Sequence, residues 1–417
     1  MLNYLLLALG FCGGFWFLKS KRKTFYKLAL YSVSLLNVMM SNEPEELKIK
    51  KVEKGTGKLV VALMLTIANI LLTLFIGITP YFLSEYFSVN VAITIPSSFG
   101  HILAISIGAT IPFLFKTKNK SEYSELAQLF HRLVLNNYTL GLKLFRRELK
   151  LNQKKNIKPK LEFVIVTGLA RAGTTSLMNH LAGIPTFSSL NYANMPLLMA
   201  PNTWAKFYKP KSKKLKERSH NDGIKIGLES NEALEEYFFK AISNDSFIND
   251  QSLTAYTLSN NDHDMYLKYQ TLVRANAQSI YLAKNNNFLL RYKSLRSLNS
   301  QFVAIVMIRE PLAHAASLLE KHIQYTQMQN EDDFVLEYMN WLGHHEFGNN
   351  QKIFDFKQNK QALPNGNKTK INYWISVWLN YYQMVNTISD NKVLMVDYNE
   401  YCDEPNRVLN KVKTIFN

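Results

Sequence analysis

Thiols are scarce in this chain: Cys12 and Cys402 are the only two in 417 residues. One lies in an apolar run near the N-terminus and the other near the C-terminus. That excludes a disulfide framework and any cysteine-based zinc spacing, and a reducing compartment is the easier setting. Acidic residues are also short, 32 Asp+Glu against 49 Lys+Arg, for a formal net charge of +17. The imbalance suits anionic partners such as nucleotide phosphates or lipid headgroups, and charge of this kind also gathers beside membrane segments. No nucleic-acid partner is expected. Asn137, Asn244 and Asn367 begin N-x-Ser/Thr triplets, from which no glycosylation is read.

Charge is missing altogether from three segments. Residues 2–18 (LNYLLLALGFCGGFWFL) carry none, and KSKRK follows. A cleaved signal peptide has its basic residues first, so this order predicts an anchor. Leu59 to Ser84 and Tyr86 to Phe115 are long enough to cross a hydrocarbon core. Lys and Arg are absent around 79–91 and abundant at 19–58 and 116–120, which predicts an outside N-terminus and a cytoplasmic chain after Lys116. Residues 25–40 read as an interfacial helix, with a fourth span as the alternative. The expected organisation is a membrane region of about three transmembrane helices over 1–120, then an amphipathic basic helix and linker over 121–158, then an α/β domain over 159–417. Helical spacing over 124–149, with Arg132, Lys143, Arg146 and Arg147 between the apolar positions, fits either an anionic membrane surface or the face of the domain.

The α/β domain opens with FVIVT at 163–167, a buried parallel-strand pattern, followed by GLARAGTTSLMNHL at 168–181. A strand, a Gly-bounded loop and a helix N-terminus together make an anion cradle. The spacing is that of a P-loop, G-x-x-x-x-G, but Thr174 stands where an NTPase requires Lys. The loop cation is instead Arg171. A kinase or NTPase-like nucleotide-binding membrane protein is the alternative reading, and the missing lysine weakens it. The same logic recurs at FVAIVMIREPLAHAASLL, 302–319. There Arg309 ends a strand, Pro311 suits the first turn of a helix, and Ser317 lies two turns in.

At these two elements the chain resembles the PAPS-dependent sulfotransferases, in particular membrane-anchored bacterial members. GLARAGTT is similar to the family's 5′-phosphosulfate loop, G-x-x-[RK]-[SA]-G-T-T. Arg309, Pro311 and Ser317 match its 3′-phosphate motif, R-x-P with Ser eight residues after the Arg. The resemblance covers roughly 160–405, with VLMVDYNEYCDEP at 393–405 similar to the late strand and acidic turn. It implies a three-layer α/β fold with a P-loop-like parallel sheet. The implied donor is 3′-phosphoadenylyl sulfate (PAPS), the product 3′-phosphoadenosine 5′-phosphate (PAP), and no metal is needed. By resemblance, Gly168, Arg171, Ala172, Gly173, Thr174, Thr175 and Ser176 hold the 5′ end of the donor and Arg309 and Ser317 the 3′-phosphate. Arg171 also stabilises charge on the bridging oxygen. The chain departs from the family at Ala172, where Ser is commoner, and in showing no basic, Gly-containing adenosine loop after the last strand.

Sulfuryl transfer to a hydroxyl (or amine) also needs a base. Residues 218–239 offer His220, Asp222, Glu229, Glu232, Glu235 and Glu236. His220 is the catalytic assignment, because it titrates near neutrality in a polar turn. Glu235 and Glu236 read as solvated charges on a helical run. Lys284 and Arg291 read as further phosphate contacts or as plain surface charge, and 188–204 as acceptor-pocket lining or core. A cytoplasmic site on an inner-membrane anchor reaches soluble PAPS and suits a lipid or glycan acceptor at the bilayer.

Overall fold

The computed structural model describes residues 2–41, 43–87, 96–115, 124–209, 216–217, 225–226, 232–357 and 363–416. It divides into two compact units, 1–133 and 134–417.

The first unit is helical: α1 (Leu2–Ser20), α2 (Arg22–Met40), α3 (Glu45–Phe87), α4 (Phe99–Leu114) and most of α5 (Glu125–Leu135). Small residues let α3 and α4 close on α1. A β-carbon on Gly10 would lie 2.3 Å from the Gly77 carbonyl oxygen, and one on Gly108 2.2 Å from that of Ala8. Only hydrogen fits there, so the backbones touch, as helices do where no water drives them together. Asn3 meets Ser84, so α3 runs antiparallel to α1. Tyr4 meets His101 and Lys19 Nζ donates to Pro112 O at 2.6 Å, so α4 runs parallel to it. Lys19 thereby covers carbonyls that the end of α4 leaves open. Val61, Met64, Leu71 and Phe75 of α3 point outward with more than half their surface exposed. Leu2–Ser20 and Glu45–Ser84 are long and apolar enough to cross a membrane, and Phe99–Leu114 is apolar but shorter.

Three boundaries differ from expectation. The basic stretch 19–58 is mostly helical: α2, where a helix was expected over 25–40, begins at Arg22, and the first turns of α3 take up much of the rest. In the third apolar segment Tyr86 and Phe87 close α3, and among the described residues that follow, 96–115, helix begins at Phe99. Pro96 brings no N–H and Ser98 is extended, so α4 starts after them. The helix expected over 124–149 breaks into α5 and α6 (Tyr138–Asn152). Asn137 caps the second by accepting from Leu140 N at 2.8 Å.

In the second unit a five-stranded, wholly parallel sheet is formed by β1 (Phe163–Thr167), β2 (Phe187–Ser188), β3 (Ile280–Lys284), β4 (Val303–Ile308) and β5 (Val393–Asp397). The spatial order is β2-β3-β1-β4-β5. All five residues of β1 are buried, as its unbroken apolar run requires when helices cover both faces. Val164 and Val166 join Leu177, Met178, Leu282, Ile305 and Met307 on one face. Phe163 stacks on Phe302 at 5.1 Å on the other, beside Tyr266. α6 packs on this unit: Phe145 is buried against Phe238 and Tyr269, and Glu148 accepts from Asn202 N and Thr203 N, both at 2.8 Å. Leu190, Met195, Leu198 and Met199 are buried too, so the described part of 188–204 serves as core. The chain leaves β1 toward β2 and β3 on one side and reaches β4 on the other. That reversal opens a crevice at the carboxyl ends of β1 and β4, the place where such sheets bind ligands.

Candidate active site

The turn out of β1 holds a backbone that few side chains tolerate. Gly168 has φ +149°, Arg171 +72° and Gly173 +90°. A β-carbon on Gly168 would lie 2.8 Å from Met307 O, and one on Gly173 2.4 Å from the ring of Tyr398. Glycine is needed at both. Gly173 caps α7 (Thr174–Ala182), whose first N–H groups open onto the turn. His314, on α8 (Pro311–Glu331), braces the loop by donating from Nε2 to Ala170 O at 2.7 Å. Burial, with Arg309 and Arg171 adding to it against the carbonyl, pushes this imidazole down to about 4, so it is neutral near pH 7.

The two elements singled out from the sequence meet directly. Arg171 Nε donates to Ser317 Oγ at 3.2 Å, and Arg309 Nη1 donates to Arg171 O at 3.1 Å. Arg309 also lies over the Tyr398 ring, 4.8 Å from its centroid, and its carbonyl accepts from Trp378 Nε1 at 3.2 Å. Glu310 turns away from the crevice. Its carboxylate caps α8 by accepting from Leu312 N and Ala313 N, which hold it below the usual carboxylate range. Thr174 and Thr175 are buried, and Ala172 is fully enclosed in the core face, where a methyl fits without a partner. Ser176 is exposed, and its hydroxyl pairs with that of Tyr401 at 3.3 Å.

Lys284 is no surface charge. At the end of β3 it is 5% exposed, donates to Thr175 Oγ1 at 2.8 Å, and forms a buried ion pair with Glu232. It supplies a second cation to the loop, from a strand rather than from the helix start. Arg291 is also buried, but away from phosphate. It pairs with Glu236 and lies over the Phe239 ring at 3.8 Å. The expectation that Glu235 and Glu236 are solvated is overturned, since both are 2% exposed. Glu235 accepts from Tyr266 and Tyr281 hydroxyls and from Asn285 Nδ2, at 2.5, 2.9 and 2.9 Å. Burial outweighs those donors and raises its pKa. These partners lie tens of residues away, so helical periodicity gave no sign of them. His220, Asp222 and Glu229 lie outside the described residues. Sequence reasoning also passed over His314, Tyr398 and the His344–Glu346 pair. The signal for the last was a polar His-His-Glu triplet beside Gly343.

Among the described residues no cluster of three or more His, Cys, Asp or Glu side chains could hold a metal. The arrangement gathers cationic and hydroxyl donors around one turn: Arg171, Arg309, Lys284, Ser317, Thr174 and Thr175. It is suited to holding a polyanion and to stabilising charge on a leaving phosphate oxygen.

No family model matches the chain, and no curated protein does. Three solved structures are similar to it. Sulfotransferase STF1 from Mycobacterium tuberculosis is 13% identical with TM-score 0.40, over 72% of this chain and 78% of that one. Sulfotransferase STF9 from Mycobacterium avium is 14% identical with TM-score 0.40, over 71% and 74%. The sulfotransferase domain from the curacin biosynthetic pathway is 14% identical with TM-score 0.30, over 61% and 73%.

Proposed function

We propose that this chain is a membrane-anchored sulfotransferase that moves a sulfuryl group from PAPS to a hydroxyl acceptor. One observation carries the reading. Two elements 138 residues apart converge so that Arg309 holds the backbone of Arg171 while Arg171 reaches Ser317. An NTPase reading offers no role for that contact, and Thr174 replaces the lysine it needs.

The residues present fit PAPS. The Gly168–Gly173 turn leads straight into the N-terminus of α7, and the cations around it, Arg171, Lys284 and Arg309, come from three strand ends. In this reading Arg171, Lys284, Thr174, Thr175 and the N–H group of Gly173 hold the 5′-phosphosulfate end. Arg309 and Ser317 hold the 3′-phosphate, with Tyr398 fixing the plane of the guanidinium. PAPS supplies a sulfuryl group already activated by its phosphate leaving group. What remains for the chain is to position that group and offset the charge that grows on the departing oxygen. The apolar helices α1, α3 and α4 are the proposed anchor. In this reading the excess of Lys and Arg at 19–58 and 116–120 over the stretch 79–91 supports a catalytic part on the cytoplasmic side of an inner membrane. A lipid or lipid-linked glycan is the acceptor this placement favours.

The test is calorimetry with PAP and, separately, ATP on the detergent-purified protein, beside Arg171→Ala and Arg309→Ala. Micromolar PAP binding that weakens at least about tenfold in each variant, roughly 1.4 kcal/mol, supports the reading. Binding of ATP with none of PAP overturns it.

A further inference from the structure

The donor side of the crevice accounts for charge on the leaving group; His220, the base expected from the sequence, lies outside the described residues, and a second candidate lies within them. The segment Gly343–Glu346 lies across the exit of β3, directly after Lys284. Asn287 Nδ2 donates to Gly343 O at 2.9 Å, and Asn286 Nδ2 to Glu346 Oε1 at 2.8 Å. His344 is fixed from both sides, its N–H on Met339 O at 2.9 Å and its carbonyl on Asn350 Nδ2 at 3.0 Å. The imidazole Nδ1 faces Glu346 Oε1 at 3.4 Å. The imidazole is one-fifth exposed and the carboxylate is buried. Nε2, the other nitrogen, makes no hydrogen bond among the described residues.

We propose that His344 is the general base of the transfer, oriented by Glu346; this deepens the sulfotransferase reading and rests on it. His344 Nε2 takes the proton of the acceptor hydroxyl as its oxygen bonds to sulfur. The bond from sulfur to the 5′-phosphate oxygen breaks, and its electron pair leaves with that oxygen, beside Lys284 and Arg171. The imidazolium then returns the proton to water. Glu346 fixes the tautomer by accepting from Nδ1–H and stabilises the cation once formed.

The surroundings favour that cycle. Glu346 Oε2 and Asn286 Oδ1 lack donors among the described residues, so the nest is rich in acceptor oxygens. Burial would lower the imidazole pKa, but the charge and hydrogen bond of Glu346 outweigh it. Glu232 adds to the rise, Lys284 opposes it, and the net shift is upward. Burial would likewise raise Glu346, yet His344 and Asn286 hold it down at about 2. The neighbouring His345 serves as the contrast. It is buried, its Nδ1 is spent on Asn350 O at 3.1 Å, and burial with the charge of Lys240 pushes it down to about 3. It stays neutral and enclosed while His344 titrates at the crevice.

The experiment follows PAP release from PAPS, with water and with n-dodecanol in mixed micelles as acceptors, alongside PAP calorimetry. Wild type is compared with His344→Gln, Glu346→Gln and Glu232→Gln across pH 5–9. The base must be neutral, so the wild-type rate climbs as pH rises through the His344 pKa. His344→Gln is expected to lose on the order of 100-fold in kcat and the climbing limb with it, with PAP affinity unchanged. Glu346→Gln is expected to move that limb to lower pH, a shift that a merely structural role would not produce. The assignment is overturned if His344→Gln keeps the rate and the limb, or if only Glu232→Gln removes them. It is also overturned if His344→Gln loses PAP binding, or if wild type binds PAP but releases none from PAPS. A wild type that binds no PAP brings down the sulfotransferase reading and this assignment with it.

Discussion

Lys284 offers the sharpest separation of a structural from a functional role. Its side chain is 6% exposed and that of Glu232 is 8%, and the two form an ion pair beside Thr175. Lys284→Met keeps the apolar stem and deletes the ammonium, leaving Glu232 buried without this cation. Breaking one side of a buried pair costs about 3–5 kcal/mol, whereas replacing both sides by uncharged groups of similar volume is often neutral. For a unit of this size each kcal/mol moves the midpoint by roughly 2–4 °C, so Lys284→Met should lower Tm by on the order of 10 °C. The double variant Lys284→Met/Glu232→Gln should regain most of that. PAP affinity should not return, because the loop still lacks its second cation; both variants should bind at least about tenfold more weakly than wild type. Scanning fluorimetry and PAP calorimetry on the same preparations measure the two effects. A double variant as unstable as the single one would show that the stranded carboxylate is not the source of the loss. A double variant with wild-type PAP affinity would remove Lys284 from the donor site.

Two further outcomes follow from the loop. Gly173→Ala places a β-carbon in the left-handed region, at about 1–2 kcal/mol, and within 2.4 Å of the Tyr398 ring. PAP affinity should fall about tenfold, and adding Tyr398→Ala should recover the steric part; strictly additive losses would rule out the clash. His314 has its pKa lowered from 6.5 to about 4, so its contribution to stability is complete above pH 6.5 and is lost as pH falls toward 4, up to about 3 kcal/mol. Tm measured across that window should drop more steeply in wild type than in His314→Gln, and parallel curves would show that the imidazole is not the titrating group.

The turn at Gly168–Gly173 was legible because everything that makes it is local. Phe163–Thr167 needs only its own apolar run to become a buried strand, Gly168 and Gly173 are the residues that accept its positive φ, and the helix start follows within one residue. The same holds for Arg309 and Pro311, at a strand end and a helix start. The apolar helices were likewise read from uninterrupted runs, although their ends were not. Continuation of α3 through Phe87 and the late start of α4 depend on a few backbone angles that hydropathy does not encode. The charged residues were read least well. Lys, Glu and Arg are solvated in most settings, so a single sequence gives Lys284, Arg291, Glu235 and Glu236 to the surface. They are buried because each finds a partner, over separations of 31 to 109 residues, that offsets its desolvation. The sequence by itself therefore determined the Gly-bounded turn, the second arginine element and the apolar segments, whose physics is short-range. Only the tertiary structure decided that Arg171 meets Arg309 and Ser317, that Lys284 joins them, and that His344 faces Glu346 at the same strand end. Those pairings exist because the parallel sheet brings the carboxyl ends of β3, β1 and β4 side by side, and spacing along the chain carries no record of which strands become neighbours.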